Sequence, residues 1–168
     1  LYRCRGWYCH QPLSIYYLEM RIPMIIQFIV CFIATLSFAI LFSAPKRQLF
    51  YCGLTGAAGW IIYLLVIQKN GSIALANLSA AFTLTLLARI FAAIERHPAT
   101  VYLLSGIFPL VPGAGIYYTS YYFIRHEMDS FVKYGAETVI VAGSIVFGIV
   151  FGSSIPQRFF HMLAKQRD

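Results

Sequence analysis

Three sets of residues in this chain have types and spacings that could do chemistry. The first is the run from Ser105 to Tyr117, Ser-Gly-Ile-Phe-Pro-Leu-Val-Pro-Gly-Ala-Gly-Ile-Tyr. Pro109 and Pro112 each remove a backbone donor and clash with the preceding turn, at about 3 kcal/mol in a helix interior. Gly113 and Gly115 add backbone freedom, so this density is expected to break a helix rather than merely kink it. A second helix starting near Pro112, a residue suited to a first turn, would then aim its free amides at an anionic group. The competing reading is a kinked structural helix whose small residues allow close packing.

The second set is Asn77, Thr85 and Arg89, which fall within about 120° of arc at 100° per residue and so share one helix face. An ionisable side chain inside an apolar run is a functional candidate. Near the end of its run, however, Arg89 could instead carry its guanidinium out to a polar boundary. The third set is Glu137, with Ser144, Gly148 and Gly152 on the same stripe. Glu137 is expected to open a helix, where the dipole favours an acid, or to accept a proton coupled to movement of a ligand. Gly148-x-x-x-Gly152 and Gly53-x-x-Gly56-Ala57 read as faces for close helix approach. Tyr117, Tyr118, Tyr121 and Tyr122 read mainly as an interfacial belt.

The elements that must hold these residues follow from composition. Of 168 residues, 60% are hydrophobic and only 11% charged, and mean hydropathy is +0.71. A soluble domain carries roughly a quarter charged residues, and a disordered chain is less apolar still, so both are excluded. Net charge is +7, yet the cations stand in ones and twos between apolar runs. That is the pattern of loops beside a bilayer, not of a nucleic-acid face.

No Asp, Glu, Lys or Arg occurs between Arg21 and Lys46, or within Gln48–Gln68, Asn70–Ala88, Pro98–Ile124 and Thr138–Gln157. About 20 residues cross ~30 Å of hydrocarbon. Five helical spans are therefore expected, at about 24–43, 49–67, 72–94, 99–123 and 137–155, with the fourth broken by Pro-x-x-Pro-Gly. Short polar connections make neighbours antiparallel, and the longest, Arg125 to Ala136, is read as a loop. The fold class is all-α integral membrane: a five-helix domain over 24–157 and a basic cytoplasmic tail over 158–168. Because Leu1 is not a usual initiator, residues 1–23 are read as an upstream extension or disordered segment of a protein starting at Met20 or Met24.

Counted from Met24, Lys69, Arg125 and Lys133 fall on one side. Lys46, Arg47, Arg96, Arg158, Lys165 and Arg167 fall on the other, which places the N-terminus outside and the C-terminus in the cytoplasm. Adding Arg3, Arg5 and Arg21 would balance the two sides.

Cys31 and Cys52 read as buried small hydrophobes. Cys4, Cys9 and His10 lack a second ligand pair, and His97, His126 and His161 are scattered, so no metal site is expected. No Gly-x-Ser-x-Gly, P-loop or dinucleotide-binding motif occurs, so no enzyme activity and no cofactor are expected.

The run Arg89…Glu95-Arg-His-Pro-Ala-Thr-Val…Gly106-Ile-Phe-Pro-Leu-Val-Pro-Gly-Ala-Gly-Ile-Tyr117 resembles the threonine/serine exporter family, over residues 24–160. It is most similar to short, split-type members that correspond to the C-terminal membrane half of the full exporter. The motif positions are Arg89, Pro98, Pro109, Pro112, Gly113 and Tyr117.

The resemblance implies a multi-pass subunit of the bacterial inner membrane that exports small carboxylate metabolites, threonine and serine or succinate. It implies a partner too, either a longer half with a cytoplasmic N-terminal domain or a second copy of the chain. Substrate contacts are expected from Arg89, Asn77, Thr85, Pro109, Pro112, Gly113, Gly115 and Tyr117, and ion coupling, protons first, from Glu137. The alternative is a non-transporting membrane scaffold or assembly factor.

Overall fold

A computed structural model describes residues 23–69 and 72–156. The expectations for residues 1–22, including Cys4, Cys9 and His10, and for the basic tail 158–168 lie outside the described residues. The described residues form helices joined by short turns, with no strand among them. It runs α1 (Met24–Leu41), α2 (Leu49–Gln68), α3 (Ile73–Glu95), α4 (Ala99–Ile107), a 3-10 turn (Phe108–Leu110), α5 (Gly113–Ile124) and α6 (Met128–Ser154). Four helices are long and apolar enough to cross a bilayer. The α4 and α5 pair, bent by 52° at its break, makes a fifth.

Turn chemistry sets the helix ends. Ser72 caps α3 by accepting from the Leu75 amide at 3.3 Å, a standard N-cap bond. Ser43, Arg96 and His126 adopt left-handed φ of 56°, 56° and 58° just past α1, α3 and α5, the usual C-terminal stop. Pro98 then prevents α3 from resuming.

α3 is the centre of the bundle, packing against α2, α4 and α6. Leu84 is fully buried there with Ala80, Ala81, Leu110 and Ile145. Small residues bring the helices this close. A Cβ on Gly59 or on Gly106 would stand 3.2 Å from Leu84 Cδ1, so α2, α4 and α3 converge on one leucine. A Cβ on Gly148 would lie 2.6 Å from the Leu78 carbonyl oxygen, and one on Gly152 2.7 Å from Thr85 Cβ. The Gly148-x-x-x-Gly152 stripe is thus a helix contact, seated on α3. Buried hydroxyls are satisfied within their own helices: Thr35 donates to Cys31 O at 2.8 Å, Thr55 to Cys52 O at 2.7 Å and Thr85 to Ala81 O at 2.7 Å. In hydrocarbon this back-bonding answers the demand that each polar group find a protein partner.

One expected element is corrected. The segment read as a loop, Arg125 to Ala136, is helical from Met128, and α6 has 27 residues. Glu137 therefore does not open the last helix; it sits more than two turns inside it. Asp129 occupies the first turn instead, taking the place at the dipole's positive end that Glu137 was expected to hold. Asp129, Lys133 and Glu137 make this stretch charged without making it a loop. It is held by Tyr134, whose ring stacks on Tyr122 at 5.1 Å and lies 5.5 Å from that of Tyr118.

Candidate functional site

The break in the fourth span is a defined backbone structure. α4 ends at Ile107 and one 3-10 turn carries Pro109; Val111 then adopts an extended ψ of 129°, as a residue preceding proline should. Pro112, with φ −76° and ψ 59°, is the centre of an inverse γ-turn, closed by the Gly113 amide donating to Val111 O at 2.7 Å. Pro112 therefore stands at the N-cap of α5, and the Ile116 amide returns to its carbonyl at 3.1 Å. The first-turn amides of Ala114 and Gly115 have no intrahelical acceptor, as at any helix start.

These amides border a cleft of about 350 Å³, at the small end of the ~300–1,000 Å³ range of small-molecule sites. Pro109 to Gly115 form one wall, Trp60 and Tyr63 of α2 another, and Ile73 and Asn77 of α3 a third; α6 closes it with Tyr134, Glu137, Thr138 and Val141. Glu137 is the one Asp, Glu, Lys or Arg among the lining residues. Trp60 is oriented by an indole N–H bond to Gln27 Oε1 at 3.2 Å, and Asn77 by a bond from Nδ2 to Ile73 O at 2.9 Å.

The structure brings together Asn77, Pro109, Pro112, Gly113, Gly115 and Glu137 at this cleft. Thr85, Arg89 and Tyr117 do not line it. Thr85 packs on Gly152. Arg89 Nη1 donates to the carbonyls of Gly152 at 3.0 Å and Ser153 at 2.6 Å, at the C-terminal end of α6, where a cation complements the dipole. Tyr117 is 63% exposed on the outer side of α5. Of the tyrosines read as a belt, Tyr118 and Tyr122 join α5 to α6 through Tyr134, whereas Tyr117 and Tyr121 stack on each other at 6.2 Å. The aromatic wall from α2, Trp60 and Tyr63, had no sequence signal beyond residue type. No cluster of metal-ligating side chains occurs among the described residues.

Helices of spanning length around a cleft, with a broken span at its wall, define a multi-pass helical membrane protein. The family model described as Threonine/Serine exporter, ThrE, matches residues 27–155. The chain belongs to that family of membrane exporters. No curated protein and no solved structure matches it.

Proposed function

We propose that this chain is one membrane half of a secondary exporter for hydroxy amino acids, threonine and serine, in the bacterial plasma membrane. The observation that carries the substrate choice is the composition of the cleft: an acid on one wall and free helix amides on another. A zwitterion presents an ammonium to Glu137 and a carboxylate to the α5 N-terminus, the arrangement discontinuous helices use for anionic groups. A dicarboxylate such as succinate would instead bring two negative charges beside a third. At effective dielectric ~20, like charges 4 Å apart repel by about 4 kcal/mol, which favours the amino acid.

Glu137 also supplies the coupling. One carboxylate occupied in turn by the substrate ammonium and by a proton makes outward movement of one depend on inward movement of the other. The cation count argues for the N-terminus outside, so that the cleft faces out and Arg89 lies near the cytoplasm. Five helices make half of a typical repeat-built carrier, so a second half, a longer relative or another copy of this chain, would complete the path.

The test is efflux of threonine, serine and succinate from cells lacking this chain, with and without a candidate longer partner. Retention of threonine or serine, relieved only when both halves are restored, supports the reading. Retention of succinate alone overturns the substrate choice, and no retention of any of the three overturns the exporter.

A further inference from the structure

At the end of the bundle opposite the cleft, three buried polar atoms have no hydrogen-bond partner among the described residues. Buried Thr35, Thr55, Asn77, Thr85 and Ser105 each donate to a carbonyl three or four residues back. Gln48 and Tyr102 do not. Gln48 Oε1 and Nε2 and the Tyr102 hydroxyl lack a hydrogen-bond partner among the described residues, although these residues are only 1% and 0% exposed. Both adjoin Cys52. The Gln48 carbonyl accepts from the Cys52 amide at 2.9 Å. Tyr102 shares one buried cluster with Cys52, Ala39 and Ala88, and Leu49 packs against it. Gln48 precedes α2 and Tyr102 lies one turn into α4, so both belong to the same end of the molecule. Lys46 and Arg47 immediately precede Gln48, and Arg96 ends α3 beside α4.

We infer that Gln48 and Tyr102 form a second polar station, closed in this conformation, that takes the hydroxyl or carboxylate of the same small metabolite that occupies the cleft. The inference rests on the exporter reading. A carboxamide offers two donors and an acceptor, and a phenol offers one of each. That set suits an oxygen-bearing group and does not suit an apolar chain. Unpaired buried polar atoms are rare in native proteins and call for a reason. A station that is closed while its end is shut and occupied when it opens supplies one. Lys46, Arg47 and Arg96 outnumber Glu95 at this end, a balance that would draw a carboxylate towards it. Alternating access needs the end opposite the cleft to open in turn, and the station lies at that end.

Cys52, one turn after Gln48 on α2 and in the same buried cluster as Tyr102, is a ready reporter. The full chain with Cys4 and Cys9 changed to serine, in native membranes, is treated with a charged, water-soluble methanethiosulfonate. Cys31 is 6% exposed and Cys52 0%, so a static molecule would label Cys52 no faster than Cys31. The station predicts Cys52 labelling at least tenfold faster than Cys31 and slowed by threonine. Labelling of Cys52 at or below the Cys31 rate overturns it.

The variants Gln48→Leu and Tyr102→Phe remove the unpaired atoms at nearly constant volume. They are expected to melt at or above the wild-type temperature while export falls at least tenfold. Wild-type export in both variants overturns the station alone. Absence of export by the wild type overturns the exporter reading and the station with it.

Discussion

The guanidinium of Arg89 on α3 donates to the carbonyl of Ser153, the second-last residue of α6, at 2.6 Å. Residues 64 apart in sequence thus tie the C-terminal parts of two helices that Gly148 and Gly152 already bring into contact. α3 and α6 form a fixed pair, and the cleft is built at the other end of that pair.

Replacing Arg89 tests this tie. Hydrogen bonds to a charged group are worth about 1.5–3 kcal/mol, so Arg89→Ala is expected to lose about that much stability, and Arg89→Lys to recover part of it. The readout is thermal unfolding in detergent beside the KM for threonine counterflow. A raised KM at unchanged melting temperature would show instead that Arg89 touches the substrate.

Two glycines of α6 should respond in opposite directions. At Gly148 a methyl group would meet the Leu78 carbonyl oxygen at 2.6 Å and Ala81 Cβ at 2.8 Å. Overpacking of this kind costs about 1–3 kcal/mol, so Gly148→Ala should destabilise. At Gly143 nothing stands within 4 Å, and alanine in a helix interior gains about 0.5–1 kcal/mol over glycine. Parallel melting curves compare the pair.

Removing both prolines should restore a continuous fourth helix. In Pro109→Ala/Pro112→Ala, Val111 is released from its extended conformation and the γ-turn loses its fixed centre. Each proline costs a helix interior about 3 kcal/mol. The double variant is therefore expected to be at least as stable as the wild type but at least tenfold less active in export. Full activity in a stable double variant would refute the assignment of the break to the site.

Glu137→Gln keeps size and removes the charge. Threonine counterflow is expected to fall at least tenfold, equivalent to about 1.4 kcal/mol, with little change in melting temperature. A variant that transports threonine at the wild-type rate leaves Glu137 no part in binding or coupling.

Much of this was legible in the sequence because charge-free runs bound membrane helices sharply. α1, α2, α3 and the two arms around the break lie close to their expected limits. The same criterion hid the start of α6, since Asp129, Lys133 and Glu137 interrupt the apolar run although nothing there breaks a helix. The shared face of Asn77, Thr85 and Arg89 could be read from spacing. Its division among three tasks could not, because the cleft, Gly152 and the end of α6 are brought to that face by residues distant in sequence. Gln48 and Tyr102 give no local signal at all: lacking a partner is a property of the packed interior.

The half-helix after the break has a consequence for motion. No residue of α5 is buried, and it packs chiefly against α6. Local opening free energies follow buried contact, so α5 belongs to the low-stability end of the molecule while α3 sets the high end. Deuterium should enter the amides of 113–124 well before those of 76–88, and the unit that swings as the cleft fills and empties would be this arm, turning about the Val111–Gly113 bend.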